Sequence, residues 1–99
     1  MKERVNNVRK MQKKLRDLRY KSLLNGKVKR VRHFKGVEYT VLGIAEHTET
    51  REVLVVYKAE YGEHKVYARP INMFISEVDK EKYPDVRQHY RFDFIEFNH

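Results

Sequence analysis

The sequence predicts an α+β protein that is mainly β, with an N-terminal amphipathic helix over residues 1–26 and a small β domain over residues 27–99. From Lys2 to Leu24 the chain has no glycine or proline and is rich in Lys, Arg, Leu, Met and Gln, which favour helix. After Gly26 apolar residues alternate with polar ones between tight turns, a pattern typical of strands. We expect five short strands in an SH3-like barrel or a strongly bent antiparallel sheet, because closure removes exposed edges.

The predicted helix ends at Asn25-Gly26 and carries an apolar stripe. At 100° per residue, seven side chains fall within one sector of about 140°; they are Val5, Val8, Met11, Leu15, Leu18, Ser22 and Leu23. We expect this stripe to pack on the β domain or on the helix of a second copy, which would make a homodimer. Residues 8, 11, 15, 18 and 22 also have the a/d spacing of a coiled coil, but two heptads are too few to predict one.

Positive charge is concentrated in the first third of the chain. The formal net charge is +8, but residues 1–35 carry 14 Lys or Arg against two carboxylates, which gives +12 there and −4 over the rest. Most helical cations lie opposite the apolar stripe, and the candidate nucleic-acid-binding set is Arg9, Lys10, Lys13, Lys14, Arg16 and Lys21. Basic arms of this kind commonly contact phosphates. The alternative is a face that only keeps the helix solvated.

The β domain divides into short apolar segments separated by turns. The apolar positions that mark strands are Val28 and Val31, then 39–45, 53–57 and 66–69, and finally Tyr90, Phe92, Phe94 and Phe97. The segment 53–57 is apolar on both faces, so we expect a central strand covered on both sides, with the helix as its second cover. A short apolar turn at Ile71, Met73 and Phe74 should plug one end of the fold, and the charged segment 77–88 should be a loop.

Composition excludes several classes of function. The chain has no cysteine, which excludes disulfides, thiolate metal sites and a cysteine nucleophile. Its four glycines are isolated and form no phosphate-binding loop. His47-Thr48-Glu49 is similar to the His-x-Glu element of zinc deaminases, but those enzymes also need ligands downstream. An acid/base or metal role for His47 and Glu49 with His64 is the alternative. We predict no enzyme activity, no cofactor and no metal.

No apolar run approaches the length of a membrane span, and the N-terminal residues lack the apolar core of a signal peptide. We therefore expect a cytoplasmic protein that does not contact a membrane.

A ligand-binding surface is predicted on the β domain. Tyrosine rings can stack a base while an arginine takes a phosphate. The candidate set, with two polar residues of the 46–50 loop, is Tyr39, Tyr57, Tyr61, Tyr67, Arg69, His47 and Glu49. Such a surface suits a small anionic ligand of the nucleotide type. The alternative is that the tyrosines pack in the core and that Arg69 pairs with Glu49 or Glu52.

The β domain also carries short motifs in a fixed order. They are Arg32-His33-Phe34-Lys35-Gly36, Tyr39, Val41-Leu42-Gly43-Ile44-Ala45, His47-Thr48-Glu49-Thr50, Leu54-Val55-Val56-Tyr57, Tyr61-Gly62, Arg69-Pro70 and Met73-Phe74. In this order and spacing, residues 30–78 resemble a family of short bacterial domains catalogued as domain of unknown function 1653. The resemblance implies a compact β domain with no assigned reaction. Two features depart from it: Tyr67 stands where a tryptophan is expected, and the basic helix lies outside the pattern.

Three functions remain open at this point. The leading hypothesis is a non-enzymatic accessory protein that binds nucleic-acid phosphates through the helix, largely without sequence preference. The second is a homo-oligomeric protein that sequesters a nucleotide-derived ligand in the tyrosine and arginine pocket. The third is a docking protein whose helix binds an acidic partner.

Overall fold

The computed structural model describes the backbone of residues 2–99 and the side chains of residues 7–99. A long helix precedes a five-stranded sheet, and a short helix lies between the last two strands. In chain order the elements are α1 (Lys2–Leu24), β1 (Val28–His33), β2 (Glu38–Glu46), β3 (Val53–Ala59), β4 (Val66–Pro70), α2 (Ile71–Phe74) and β5 (Phe92–Phe97). The predicted α+β class, mainly β, is confirmed. Within residues 2–99 no helix is long and apolar enough to cross a bilayer.

Helix α1 ends at the glycine that the sequence indicates. Gly26 has a φ of +68°, a conformation that glycine adopts without steric cost. Its N–H donates to the Leu23 carbonyl at 3.1 Å, and the Lys27 N–H donates to the Ser22 carbonyl at 2.9 Å. This pair of bonds is the Schellman motif, which satisfies the last helical carbonyls. The chain therefore turns directly from α1 into β1.

The five strands form one antiparallel sheet in the order β4-β3-β2-β1-β5. Within residues 2–99 the edge strands β4 and β5 do not pair with each other, so the sheet is open. Of the two arrangements that the sequence predicts, the closed SH3-like barrel is wrong.

The open sheet is nevertheless strongly bent. Four strand spacings separate β4 from β5, which is about 19 Å in a flat sheet. Yet the guanidinium carbon of Arg69 on β4 lies 5.8 Å from the ring centre of Phe92 on β5. The ring of Tyr57 on β3 lies 5.7 Å from the same ring. Bulges interrupt the pairing of β1 with β5 and of β2 with β3, and bulges increase local bending. The two edges thus approach each other over a shared interior without pairing.

The core lies on the concave face of this sheet. Its buried side chains come from the last turn of α1, from the strands, and from α2 with the residue after it; they are Leu23, Val28, Val31, Val55, Tyr57, Ile71, Phe74, Ile75 and Phe92. The rings of Phe74 and Phe92 stack at 4.2 Å with an interplanar angle of 8°. Helix α2 is therefore the apolar plug that the sequence predicts, although Met73 points outward and stays 49% exposed.

Arg19 joins α1 to the bent sheet. Its guanidinium donates to the carbonyl of Ile75 at 2.7 Å and to the carbonyl of Phe92. The guanidinium carbon also lies 3.7 Å from the ring centre of Tyr90 and 4.4 Å from that of Phe94. Burial lowers the pKa of Arg19, but two carbonyls and two ring faces stabilise the cation in this position.

The expected packing of the apolar stripe on the β domain is wrong. Leu23 is buried, but the remaining large apolar members with described side chains are 51%, 63%, 48% and 61% exposed; they are Val8, Met11, Leu15 and Leu18. The side chain of Val5 lies outside the described residues. The physical reason is Arg19, which lies inside the apolar sector and anchors the helix. With Arg19 seated on the sheet, Leu23 points into the core and Leu18 points away from it.

Strand β3 is not covered on both faces, contrary to the expectation. Val55 and Tyr57 are 0% and 4% exposed on the concave face, whereas Leu54 and Val56 stay partly exposed on the other. Helix α1 contributes Leu23 to the concave core instead of covering the convex face of β3. The predicted loop over 77–88 is confirmed, apart from a single bridge between Glu77 and Tyr90.

We expect Leu23→Ala to lower the free energy of unfolding by about 2–4 kcal/mol, because it leaves a cavity in the core. The matched control is Leu18→Ala on the same helix; Leu18 is 61% exposed, so its loss should change the free energy by less than about 0.5 kcal/mol. Urea unfolding followed by circular dichroism measures both. Equal effects of the two substitutions would contradict the docking through Arg19 and Leu23.

Candidate functional site

A cleft opens at the rim of the concave face, between the β1–β2 turn and the long segment that joins α2 to β5. It encloses about 340 Å³, which is within the usual range of ligand pockets, about 300–1,000 Å³. Four cations line it, together with one carboxylate and three aromatic rings; they are Lys35, Arg69, Lys82 and Arg91, then Asp79, then His33, Phe34 and Tyr83. We call this set the cationic cleft.

The β1–β2 turn positions one wall of the cleft. His33, the last residue of β1, pairs with Phe92 of β5. The N–H of His33 donates to the Val37 carbonyl at 2.8 Å, and the Gly36 N–H donates back to the His33 carbonyl at 2.8 Å. Gly36 has a φ of +98°, which favours glycine at this position. The tight turn holds the intervening Phe34 and Lys35 at the mouth of the cleft.

Two arginines of the cleft are held by neutral groups. Arg69 donates from Nε to the Tyr57 hydroxyl at 3.2 Å, and Arg91 donates from Nε to Ser76 Oγ at 3.2 Å. Among residues 7–99, no carboxylate forms an ion pair with either arginine. The predicted alternative, an ion pair of Arg69 with Glu49 or Glu52, is therefore wrong. Both charges are fixed in place and remain uncompensated.

The aromatic rings of the cleft form a continuous wall. The ring centres of His33 and Phe34 are 4.3 Å apart, and those of Phe34 and Tyr83 are 4.9 Å apart. The ammonium groups of Lys35 and Lys82 lie 5.6 Å and 5.5 Å from the ring centre of Tyr83. The wall thus offers ring faces beside cationic groups, a combination that suits a planar ring with an attached anion.

The surroundings of His33 in the cleft lower the pKa of its imidazole. Burial, together with the smaller effects of the nearby charges of Arg69, Lys35 and Arg91, lowers the pKa of His33 to about 4. In addition, Nδ1 of His33 accepts the backbone N–H of Lys35 at 3.1 Å, which requires an unprotonated Nδ1 and places the ring proton on Nε2. At neutral pH the imidazole is therefore an uncharged donor.

The four predicted tyrosines form a separate group further along the concave face. The ring of Tyr39 lies 5.2 Å from that of Tyr57 and 5.9 Å from that of Tyr61, and Tyr57 lies 5.7 Å from Tyr67. Burial and the 3.2 Å hydroxyl contact with Tyr61 raise the pKa of Tyr39. Tyr57 reaches Arg69 with its hydroxyl but is 4% exposed. None of the four tyrosines lines the cationic cleft.

His47 and Glu49 lie at the far end of the β2–β3 hairpin. Nδ1 of His47 accepts the N–H groups of Glu49 and Thr50, each at 3.2 Å, so this imidazole stabilises its own loop. Tyr39 pairs with Ala59 at the other end of the hairpin, about 26 Å from His47 along an extended strand. The structure does not bring His47 and Glu49 to the tyrosines. In the part of the chain that is described, no three His, Asp or Glu side chains are placed to hold a metal ion.

The six predicted cations of α1 divide between two faces. Arg9, Lys13 and Arg16 line an open groove of about 430 Å³, whose opposite wall includes Glu77 and Tyr90. The other three, Lys10, Lys14 and Lys21, lie on the outer face, away from this groove. All six are exposed. No carboxylate of residues 7–99 pairs with the outer three.

Sequence reasoning missed most of the cationic cleft. It gave Lys35 as part of a family motif and placed Lys82 and Tyr83 in a charged loop, because nothing in the local pattern says that this loop lies over the β1–β2 turn. The available signal was the motif from His33 to Lys35 together with Arg69, since both belong to the segments that carry the family resemblance.

Comparison with known proteins agrees with that resemblance. The family model described as protein of unknown function DUF1653 matches residues 29–94. The chain belongs to this family. A solved structure described as a DUF1653 protein from Bordetella bronchiseptica is similar at a TM-score of 0.63 and 26% identity, covering 78% of this chain and 96% of that one. The comparison with curated proteins returned no match. All residues of the cationic cleft lie inside the DUF1653 match, whereas α1 precedes it.

We expect the His33 imidazole to titrate near pH 4 in the folded protein and near 6.5 in the unfolded chain. Between these values the unfolded chain binds a proton that the folded protein does not, so stability should fall as the pH decreases from about 6.5 towards 4. NMR titration of the imidazole measures the pKa, and urea unfolding at several pH values measures the linkage. His33→Gln should remove this part of the pH dependence. A pKa for His33 close to that of a free histidine would contradict the electropositive cleft.

Proposed function

We propose that this DUF1653 protein is a non-enzymatic binding module that holds a phosphate-bearing, nucleotide-type ligand in the cationic cleft. The observation that carries the proposal is the gathering of four cations against one carboxylate around a cavity of about 340 Å³. Grouping like charges costs free energy, and an anionic ligand would recover it. A site of this kind is better explained by ligand binding than by stability.

The residues of the cleft divide naturally by role. Arg69 is held by the Tyr57 hydroxyl, so its planar guanidinium is oriented before a phosphate arrives. Lys35 reaches the cleft from the β1–β2 turn, and Arg91 reaches it from the segment before β5. Both charges lie close enough to His33 to lower its pKa. The wall of Phe34 and Tyr83 offers stacking faces for a base or another planar ring.

The site supports binding better than acid/base catalysis. General acids and bases work best with a pKa near the working pH, whereas the pKa of His33 is lowered to about 4. A neutral imidazole with its proton on Nε2 can donate a hydrogen bond to a phosphate oxygen without exchanging that proton.

We expect Arg69→Ala and Lys35→Gln to weaken the binding of adenosine monophosphate or inorganic pyrophosphate by about 10-fold to 100-fold each, because each removes a charge-assisted contact. The matched control is Lys27→Gln, which removes an exposed charge just before β1, at the end of that strand opposite to His33. Calorimetric titration at one fixed salt concentration measures the affinities, and thermal melting confirms that each variant is folded. Equal affinities for the control and the cleft variants, or failure of the folded wild-type protein to bind either probe, would contradict the proposal.

A second candidate function is nucleic-acid binding through α1. It is favoured by the three outer lysines, Lys10, Lys14 and Lys21, which are exposed and unpaired among residues 7–99. They are four and seven residues apart along one helical face, so a phosphate backbone could contact all three.

For this second function, we expect duplex DNA binding to weaken linearly as the logarithm of salt concentration rises. Changing Lys10, Lys14 and Lys21 together to Gln should reduce that slope by about 0.9 per lost phosphate contact and weaken all sequences about equally. Lys27→Gln is the control outside the helix. Fluorescence anisotropy with two duplexes of unrelated sequence measures the slope. An unchanged slope in the triple variant would exclude the outer face of α1 as the phosphate-binding surface.

A further inference from the structure

Four apolar side chains on α1 form an exposed row, which we call the apolar seam: Val8, Met11, Leu15 and Leu18. They are 51%, 63%, 48% and 61% exposed. Their spacing of three, four and three residues places them on one line about 15 Å long. Single exposed apolar residues are ordinary, but a contiguous row of them marks an interaction surface. Because Arg19 and Leu23 seat the helix by another face, the β domain leaves this row uncovered.

The apolar seam is narrow, and its width indicates which kind of partner surface can pack on it. Its four side chains fall within a sector of about 80° around the helix axis, and this is the width of an a/d seam between paired helices. A helix that lies in a membrane surface or packs on a broad core presents a wider apolar face, of about 100° or more. The shape of the seam therefore favours a single helix as its occupant.

The charges that flank the seam over residues 7–24 disfavour a second copy of the same helix as its occupant. Lys14 and Lys21 lie along one side of the seam, and Arg16 lies further around the helix on its other side. Between residues 7 and 24 the one carboxylate is Asp17, which lies about 140° around the axis from the centre of the seam. Over residues 7–24, pairing α1 with another α1 would set lysine flanks against cationic flanks, and no carboxylate of that segment lies beside the seam to offset the repulsion.

We propose that the apolar seam docks an acidic amphipathic helix of another protein, with apolar residues at the a and d positions and Glu or Asp at the flanking positions. This surface is separate from the cationic cleft and goes beyond the ligand-binding function. It also lies outside the DUF1653 match over residues 29–94. The helix would add recognition of a protein partner to a domain that has its own ligand site.

The test uses the whole chain and a synthetic three-heptad helical peptide with leucine at a and d and glutamate at e and g. We expect saturable binding by fluorescence anisotropy, weakened by added salt because the flanking pairs are exposed. Leu15→Gln should weaken it by about tenfold or more, because a leucine in the seam would be buried in the complex. The matched control is Leu24→Gln, since Leu24 is 44% exposed on the same helix but off the seam; it should bind as the wild type does.

Three results would overturn the proposal. The first is equal binding of a peptide with lysine at e and g. The second is a dimer of the free protein, seen by light scattering, that Leu15→Gln dissociates, because a second copy would then cover the seam. The third is co-sedimentation with vesicles rich in phosphatidylserine that Leu15→Gln abolishes while the acidic peptide fails to bind. Both variants alter exposed side chains, so they should remain folded, and thermal melting checks this.

Discussion

The rest of the structure depends on the position of Phe92 inside the bent sheet. Its side chain is 1% exposed and its ring contacts those of Phe74, Tyr57 and His33, which belong to α2, β3 and β1. Its backbone carbonyl accepts the guanidinium of Arg19, which anchors α1. In a flat sheet β3 and β5 would be about 14 Å apart, so these contacts exist only because the sheet bends. One buried residue on an edge strand therefore connects the helix, through its carbonyl, with the core and the rim of the cleft, through its ring.

The same bend assembles the cationic cleft. Arg69 comes from one edge of the sheet, and Arg91 lies next to the strand at the other edge. The fold holds both through neutral hydroxyl groups, those of Tyr57 and Ser76, so their charges are fixed without being neutralised. Holding like charges close together costs some stability. The cleft and the core are thus two results of one curvature, and a change in the bend would alter both.

The elements were predictable because each has a local signal. The absence of breakers up to Asn25-Gly26 marks α1, and alternation marks the strands. Three features had no such signal. Whether the sheet closes depends on bulges and twist, which leave no trace in the pattern of apolar residues. The sequence analysis predicted the wrong docked face for α1, because an apolar stripe usually marks the buried face of a helix. Here Arg19, which bonds to two carbonyls of the β domain, determines the docked face instead. The cleft joins the 33–35 turn to residues between 69 and 91, and a contact across that distance cannot be read from one sequence.

The anchoring of α1 by Arg19 also constrains the order in which the protein can fold. Its two carbonyl acceptors belong to Ile75 and Phe92, 56 and 73 residues further along the chain. The hairpins that join β1 to β4 are local and can form early, whereas β5 must return across a long segment to pair with β1, which carries a larger loop-closure entropy. During synthesis α1 leaves the ribosome before the five strands and is among the last elements to dock. Until β5 arrives, the nascent protein presents a cationic, apolar-striped helix beside an unfilled core, which is the state most exposed to chaperones and to aggregation.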